Sequence, residues 1–252
     1  MTAARFLFAL GGFALLAASA ARAEDPDALW KLISTRCLPN AQAGQPPAPC
    51  VAVDIEGGVA HGTVVLKDRN GATQFLLMPT AKIPGMESPE ILAPDAANYF
   101  AVAWAQHWRM DQAAGRAFPR DTLSLAINAM SGRSQNQLHV HIDCIDAGVR
   151  AAVHDNLASV GPHWAPFPQA LMGHRYLAMR LDGEDFGGIN PLRLVADGVP
   201  GAAADMGHQT LVAVGVTQAD GRPGFVLLTD HADLPGDTAS GEELQDHACR
   251  GV

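Results

Sequence analysis

The chain has 252 residues, with 17 Lys and Arg against 26 Asp and Glu, a net charge of −9, and 48% hydrophobic residues. That balance excludes generic nucleic-acid binding, which needs a basic footprint. An acidic body also gains nothing from an anionic lipid surface, so lipid contact has to come from an apolar groove or from the N-terminal segment.

Residues 1–23 have the layout of a secretory signal: Arg5, an uncharged run from Phe6 to Ala21, then Ala21-Arg22-Ala23 ahead of Glu24. The run falls short of the roughly 20 residues a spanning helix needs. Cleavage is the expected outcome and retention as a single N-terminal anchor the alternative; the body is exported in both. Removing the segment takes away Arg5 and Arg22 and no acid, which moves the charge from −9 to −11. Residues 24–252 carry no low-complexity linker and read as one domain with a sizeable core.

A short helix is expected from about Asp27 to Thr35, followed by a Pro-rich loop from Pro39 to Pro49. Cys50 to Asp54 and His61 to Lys67 are strand-like. Asp68-Arg69-Asn70-Gly71 is a hairpin turn, because Asn-Gly accepts positive φ, and Thr73 to Met78 returns as the next strand. Asp95 can cap a helix from about Ala97 to Gln112, on which Trp104 and Trp108, four apart, read as core. Leu123 to Asn128 is a strand, and Ala129 to Ser134 turns it into a second strand, Gln135 to Cys144. Asp146 caps a helix to about Val160. Strands near Tyr176 to Leu181, Leu211 to Thr217 and Phe225 to Thr229 follow, then a helix from Glu242. Hairpins with helices inserted between them predict an α+β fold around an antiparallel sheet with flanking helices.

Four cysteines in an exported chain favour disulfides over buried free thiols. Three pairings are open. Cys37 with Cys50 is favoured because it closes the Pro-rich loop, leaving Cys144 with Cys249 to pin the C-terminal tail beneath the strand 135–144.

That strand alternates without a break, so Gln135, Gln137, His139, His141 and Asp143 share one face while Leu138, Val140, Ile142 and Cys144 face the core. Imidazoles flanked by amides, with Asn128 at the end of the preceding strand, suit a phosphate. Neutral imidazole is a competent nucleophile at pH 7, and amide N–H groups can hold non-bridging oxygens without competing to attack. Attack by one histidine on a diphosphate would give a phosphoramidate that water then opens.

These residues resemble the signature of the histidine-triad superfamily of nucleotide hydrolases and transferases, His-φ-His-φ-His-φ-φ. The resemblance makes His139 the nucleophile and His141 its assistant, with Gln137 in place of the first histidine. It sets Asn128 at the end of the preceding strand and Gln135 in the phosphate-contacting turn. In Phe75-Leu76-Leu77-Met78-Pro79-Thr80-Ala81-Lys82-Ile83 it places Lys82 where a phosphate-facing group is delivered. A longer series of blocks, RCLPN, LKDRNG, LLMPT, ESPE, SLAIN, GRSQNQLHVHIDC, GHRYLA, FVLLT and EELQDHAC, is similar to bacterial CDP-diacylglycerol diphosphatases over nearly all of residues 24–252. The resemblance implies hydrolysis of CDP-diacylglycerol to phosphatidate and CMP through a nucleotidyl-histidine, at the periplasmic face of the inner membrane. It calls for no cofactor. Histidine-triad proteins are often dimers, which makes a homodimer an expectation of the same kind.

Other functions are weighed against this one. Other nucleoside diphosphate esters could serve as substrates, or the chain could be a nucleotide or lipid carrier needing no nucleophile. A metal site would need more ligands than His139 and His141, and Asp143, His107, His154, His163 and His174 stand at no recognisable ligand spacing. His174 is a candidate for the rim of the site. Arg133 and Arg175 read as solvent-facing, and His231 and His247 as surface or tail residues.

Overall fold

The structure is a computed structural model that describes residues 25–233 and 238–250. The signal or anchor expected over residues 1–23 lies outside the described residues. Among these, no helix is long and apolar enough to cross a membrane.

Strands β1 (Cys50–Asp54), β2 (Thr63–Lys67), β3 (Phe75–Pro79), β4 (Leu123–Ile127), β5 (Val140–Cys144), β7 (Leu177–Asp182), β8 (Leu211–Thr217) and β9 (Pro223–Thr229) lie close to the predicted segments, and a two-residue β6 (Ala165–Pro166) has no predicted counterpart. They form one antiparallel sheet in the order β1-β2-β3-β5-β4-β8-β9-β7-β6. Helices α1 (Ala28–Leu32), α2 (Leu38–Gln42), α3 (Tyr99–Trp104), α4 (Trp108–Ala114), α5 (Ala147–Asn156) and α6 (Pro191–Gly198) flank it, so the fold is α+β.

Period-two alternation gives each sheet face its own core. Val65, Phe75, Leu77, Leu125, Val140 and Ile142 point to one face and pack with Phe100 and Trp104 of α3 and Leu192 and Val195 of α6. The other face carries two separate apolar clusters. Ile33, Val64, Leu76 and Met78 gather beneath α1 at the β1-β2-β3 end. Ala126, Val212, Val226 and Leu228 meet Val149 and Val153 of α5 at the other end. His141, on the interior strand β5, falls between the two.

Two disulfides hold this arrangement, Cys37–Cys50 and Cys144–Cys249. The first ties the segment after α1 to β1; the second closes a separation of 105 residues and brings the C-terminal segment to β5.

Several elements differ from the sequence expectation. The N-terminal helix does not stop at Thr35. It widens into a π turn, Ile33–Cys37, and resumes as α2. Pro39 has no amide for the Thr35 carbonyl, and Leu38 N reaches back five residues to Ile33 O, so the Pro-rich loop starts only after Gln42. The helix expected over 97–112 is broken into α3 and α4. His107 Nδ1 takes the Trp104 carbonyl at 2.6 Å, competing with the helical ladder. Its N-cap is Asn98, which accepts from Ala101 N, rather than Asp95. Trp104 is core, whereas Trp108 is exposed under the Arg109 guanidinium. Asp146 does cap α5, through Gly148 and Val149. The C-terminal helix from Glu242 is a single 3₁₀ turn, Gly241–Leu244, because Glu242 N donates to Asn128 Oδ1 and Leu244 O accepts from Asp146 N. Helix α6 has no counterpart among the expected elements, although Asn190-Pro191, a cap followed by a first-turn proline, is its signal.

Candidate active site

The strand read as Gln135 to Cys144 is shorter than expected. Only Val140 onward pairs in the sheet, because Asn136 N donates to Pro26 O and Leu138 N to Ile83 O, both at 2.6 Å. Residues 135–139 therefore form a curled approach to β5. His139 and His141 remain together, their ring centroids 4.8 Å apart, and both line a cleft of about 610 Å³.

Each imidazole has a defined partner. His139 Nδ1 lies 2.6 Å from the Gln137 carbonyl, which can only accept, so Nδ1 carries the proton and Nε2 keeps its lone pair. Among the described residues no hydrogen bond occupies that Nε2. Burial lowers the pKa of His139 and outweighs the hydrogen bond to Gln137, so the ring is neutral at pH 7. His141 has the opposite tautomer. Gln74 Nε2 lies 2.9 Å from its Nδ1 and 3.4 Å from Glu242 Oε1, and a nitrogen between two acceptors is a donor to both. His141 Nε2 therefore holds the proton, buried and without a partner among the described residues. Burial lowers the His141 pKa, and the neighbouring His139 adds to the effect.

Behind the pair stands a charged layer. His247 Nδ1 is 2.6 Å from Asp143 Oδ2 and its Nε2 is 3.3 Å from Glu242 Oε1. These two carboxylates push the His247 pKa up to about 10. Burial raises the pKa of Asp143, offset by His247; the 2.6 Å contact and the second carboxylate argue for an ionised pair. For Glu242, burial is outweighed by the His247 hydrogen bond and the contacts with His141 and Asn128, so it stays ionised. Gly71, at φ +65°, lets this segment approach: a Cβ there would stand 2.5 Å from the His247 carbonyl oxygen.

The predicted phosphate-binding residues are dispersed. Asn128 lines the cleft, but its amide is committed to Glu242 Oε2, Glu242 N and Ser240 Oγ. Gln135 lines it too, with its amide spanning Leu29 N and the Asp25 carbonyl. Gln137 is turned away: it is fully buried, and its N–H groups are taken by the Pro79 and Ala81 carbonyls. Lys82 pairs with Asp27 at 3.1 Å and does not line the cleft. His174 is not at its rim and sits against Asp230 and Glu243. The cleft's cations are instead Lys67, Arg69 and Arg133. Arg133, expected to face solvent, has a buried guanidinium held by both oxygens of Glu87. Arg175 borders a different cleft.

None of His107, His154, His163 and His174 joins His139 and His141 in the cleft, so no further histidine extends that pair into a ligand set there. Asp143, Cys144 and Cys249 lie close together, but both thiols are spent in one disulfide.

A family model described as CDP-diacylglycerol pyrophosphatase matches residues 24–252. The chain belongs to the CDP-diacylglycerol pyrophosphatase family. A relative of that name from Yersinia pestis is 41% identical over 230 residues, covering 91% of this chain and 86% of the relative. For a CDP-diacylglycerol pyrophosphatase, the residues that sequence patterning overlooked are Gln74, Glu242 and His247. By its sequence position His247 reads as a tail residue, although its place two residues before Cys249 is a usable signal. Once Cys249 bonds Cys144, a residue two positions away has to lie near the strand that carries His141 and Asp143.

Proposed function

We propose that this chain hydrolyses the diphosphate of CDP-diacylglycerol to phosphatidate and CMP, with His139 as nucleophile. One observation carries the mechanism: a neutral imidazole with its Nδ1 proton tied to the Gln137 carbonyl and its Nε2 uncommitted, in a cleft bordered by Lys67, Arg69 and Arg133. Family membership supplies the substrate.

His139 Nε2 attacks the phosphorus that bears the cytidine. A P–N bond forms, the P–O bond to the phosphatidate oxygen breaks, and phosphatidate leaves with the bonding electron pair. His141 Nε2–H donates a hydrogen bond to the departing or a non-bridging oxygen. Gln74 holds His141 in that tautomer, and Glu242 holds Gln74. His247, between Asp143 and Glu242, keeps the carboxylate in place and balances its charge. Water then opens the P–N bond, releasing CMP and a proton and restoring His139. The β4–β5 hairpin bearing these histidines fits a histidine-triad-like sheet, and two disulfides fit a periplasmic setting at the inner membrane.

Acid-labile, base-stable labelling of His139 after an early quench with cytidine-labelled CDP-diacylglycerol is the expected result. A nucleotidyl adduct on another residue would overturn the assignment.

A further inference from the structure

We infer that the α1 edge of the cleft is the acyl-glycerol subsite: Leu29 and Leu32 from above, with Leu66, Leu76 and Pro49 from the sheet side, receive the diacylglycerol part of CDP-diacylglycerol. The inference rests on the proposed activity and adds the direction in which the substrate lies.

The sheet register sets the direction. His141 is the cross-strand partner of Leu76, and Leu76 is the partner of Leu66, so the three stand in one row on one face. Adjacent strands are about 5 Å apart, which places Leu76 about 5 Å and Leu66 about 10 Å from the strand of the reacting pair. This row passes from imidazole to aliphatic side chains and runs beneath α1. On α1, Leu29 and Leu32 are three residues apart and share a helix face; both line the same cleft. Arg133, Ser134 and Asn128 add polar groups to the same cleft. A cleft in which Lys67 and Arg69 follow Leu66 offers cationic and aliphatic groups within one pocket, which matches a substrate with a diphosphate at one end of its glycerol and two acyl esters at the other.

The wall is fixed. Ile33 is fully buried against Val64 and Met78, and Cys37–Cys50 ties the same segment to β1. Leu29 and Leu32 are only partly buried, leaving aliphatic surface beyond what the core consumes.

The route of the chain agrees. Gln135 Nε2 donates to Asp25 O at 3.0 Å, Asn136 N to Pro26 O at 2.6 Å and Leu29 N to Gln135 Oε1 at 3.1 Å. The polypeptide therefore enters the described fold at the mouth of this cleft, a few residues after the uncharged run from Phe6 to Ala21.

The test compares kcat/KM for a monomeric short-chain CDP-diacylglycerol with kcat/KM for water-soluble CDP-glycerol. In the wild-type protein the lipid should be preferred. In the double variant Leu29→Gln, Leu32→Gln the preference should fall roughly tenfold, equivalent to about 1.4 kcal/mol. An unchanged preference, or an equal loss on both substrates, would overturn the subsite. A wild-type protein that cleaves both equally well would remove the subsite and leave the catalytic reading standing; one inert toward both would remove the two together. If the double variant fails to fold, an acyl-diazirine analogue of CDP-diacylglycerol on the wild-type protein decides: adducts within residues 28–32, 49 or 66–76 support the subsite, and adducts confined elsewhere refute it.

Discussion

Two parts of the molecule gather histidines and carboxylates, and they do so to opposite effect. At the start of β5, His139 and His141 are 9% and 4% exposed, with Asp143, Glu242 and His247 packed behind them. Near the start of β8 and the end of β9, His208 and His231 share Asp205, with Nδ1 of His208 at 2.6 Å and Nε2 of His231 at 3.0 Å, and their side chains are 41% and 32% exposed. Burial removes the proton from His139 and His141. At His231 the slight burial is outweighed by Asp205 and Asp233, and its pKa rises. The same side chains therefore become a neutral nucleophile and its partner in one place and solvent-facing partners of a shared carboxylate in the other. Depth and hydrogen-bond partners decide the outcome, and residue type does not.

The sharpest way to break this contrast is His139→Ala. Steady-state assays with CDP-diacylglycerol should show kcat/KM falling about a thousandfold or more, since the neighbouring His141 Nε2 carries its proton and has no lone pair with which to attack. A comparable loss from His231→Ala would erase the distinction between the clusters.

Next in size is His247→Gln, which leaves Asp143 and Glu242 without their shared cation. We expect kcat to fall roughly 10- to 100-fold with a smaller change in KM, as for partners that orient reacting groups without touching substrate. A variant that loses stability yet retains full kcat would demote His247 to a structural residue.

The two kinds of histidine also predict different pH responses. Burial holds the folded His139 pKa below 6.5, so the acid limb of kcat/KM should lie below pH 6.5; an acid limb above that value contradicts a buried neutral nucleophile. His247 has the reverse sign. Its folded pKa, about 10, exceeds the unfolded 6.5, so its contribution to stability is complete below pH 6.5 and is lost as pH rises toward 10. Solvent screens a ring that is one-third exposed, which discounts the effect to about 1–2 kcal/mol. Denaturant midpoints measured from pH 6.5 to 10 should decline in the wild-type protein and decline less in His247→Gln.

The smallest effect belongs to the exposed cluster. His208→Asn combined with His231→Asn should leave kcat/KM within about twofold and stability within about 0.5 kcal/mol, as for surface ion pairs. A larger loss of activity would show that the second cluster is coupled to the cleft.

Local pattern carried far into this molecule. Alternation from Leu123 to Ile127 and from Val140 to Cys144, the Asn-Gly turn at Gly71 and the Asp146 cap all became elements near their expected positions. Each depends on neighbours within a few residues, and the physics of a strand, a turn or a cap is complete at that range. The helix over 97–112 did not survive, because the His107 side chain competes for the Trp104 carbonyl.

By itself the sequence determined the α+β architecture, the cysteine pairs available to the body and the presence of two histidines close together at one strand. Tertiary structure decided what those histidines can do. Gln74, Glu242 and His247 reach them from 67, 101 and 106 residues away in the chain, brought there by strand pairing and by the Cys144–Cys249 bond. It also withdrew Gln137 and Lys82 from the cleft and supplied Lys67 and Arg133 instead. A residue's type and spacing are local facts, but its protonation, its hydrogen-bond partner and its distance from a reacting atom are set by what the rest of the chain packs against it.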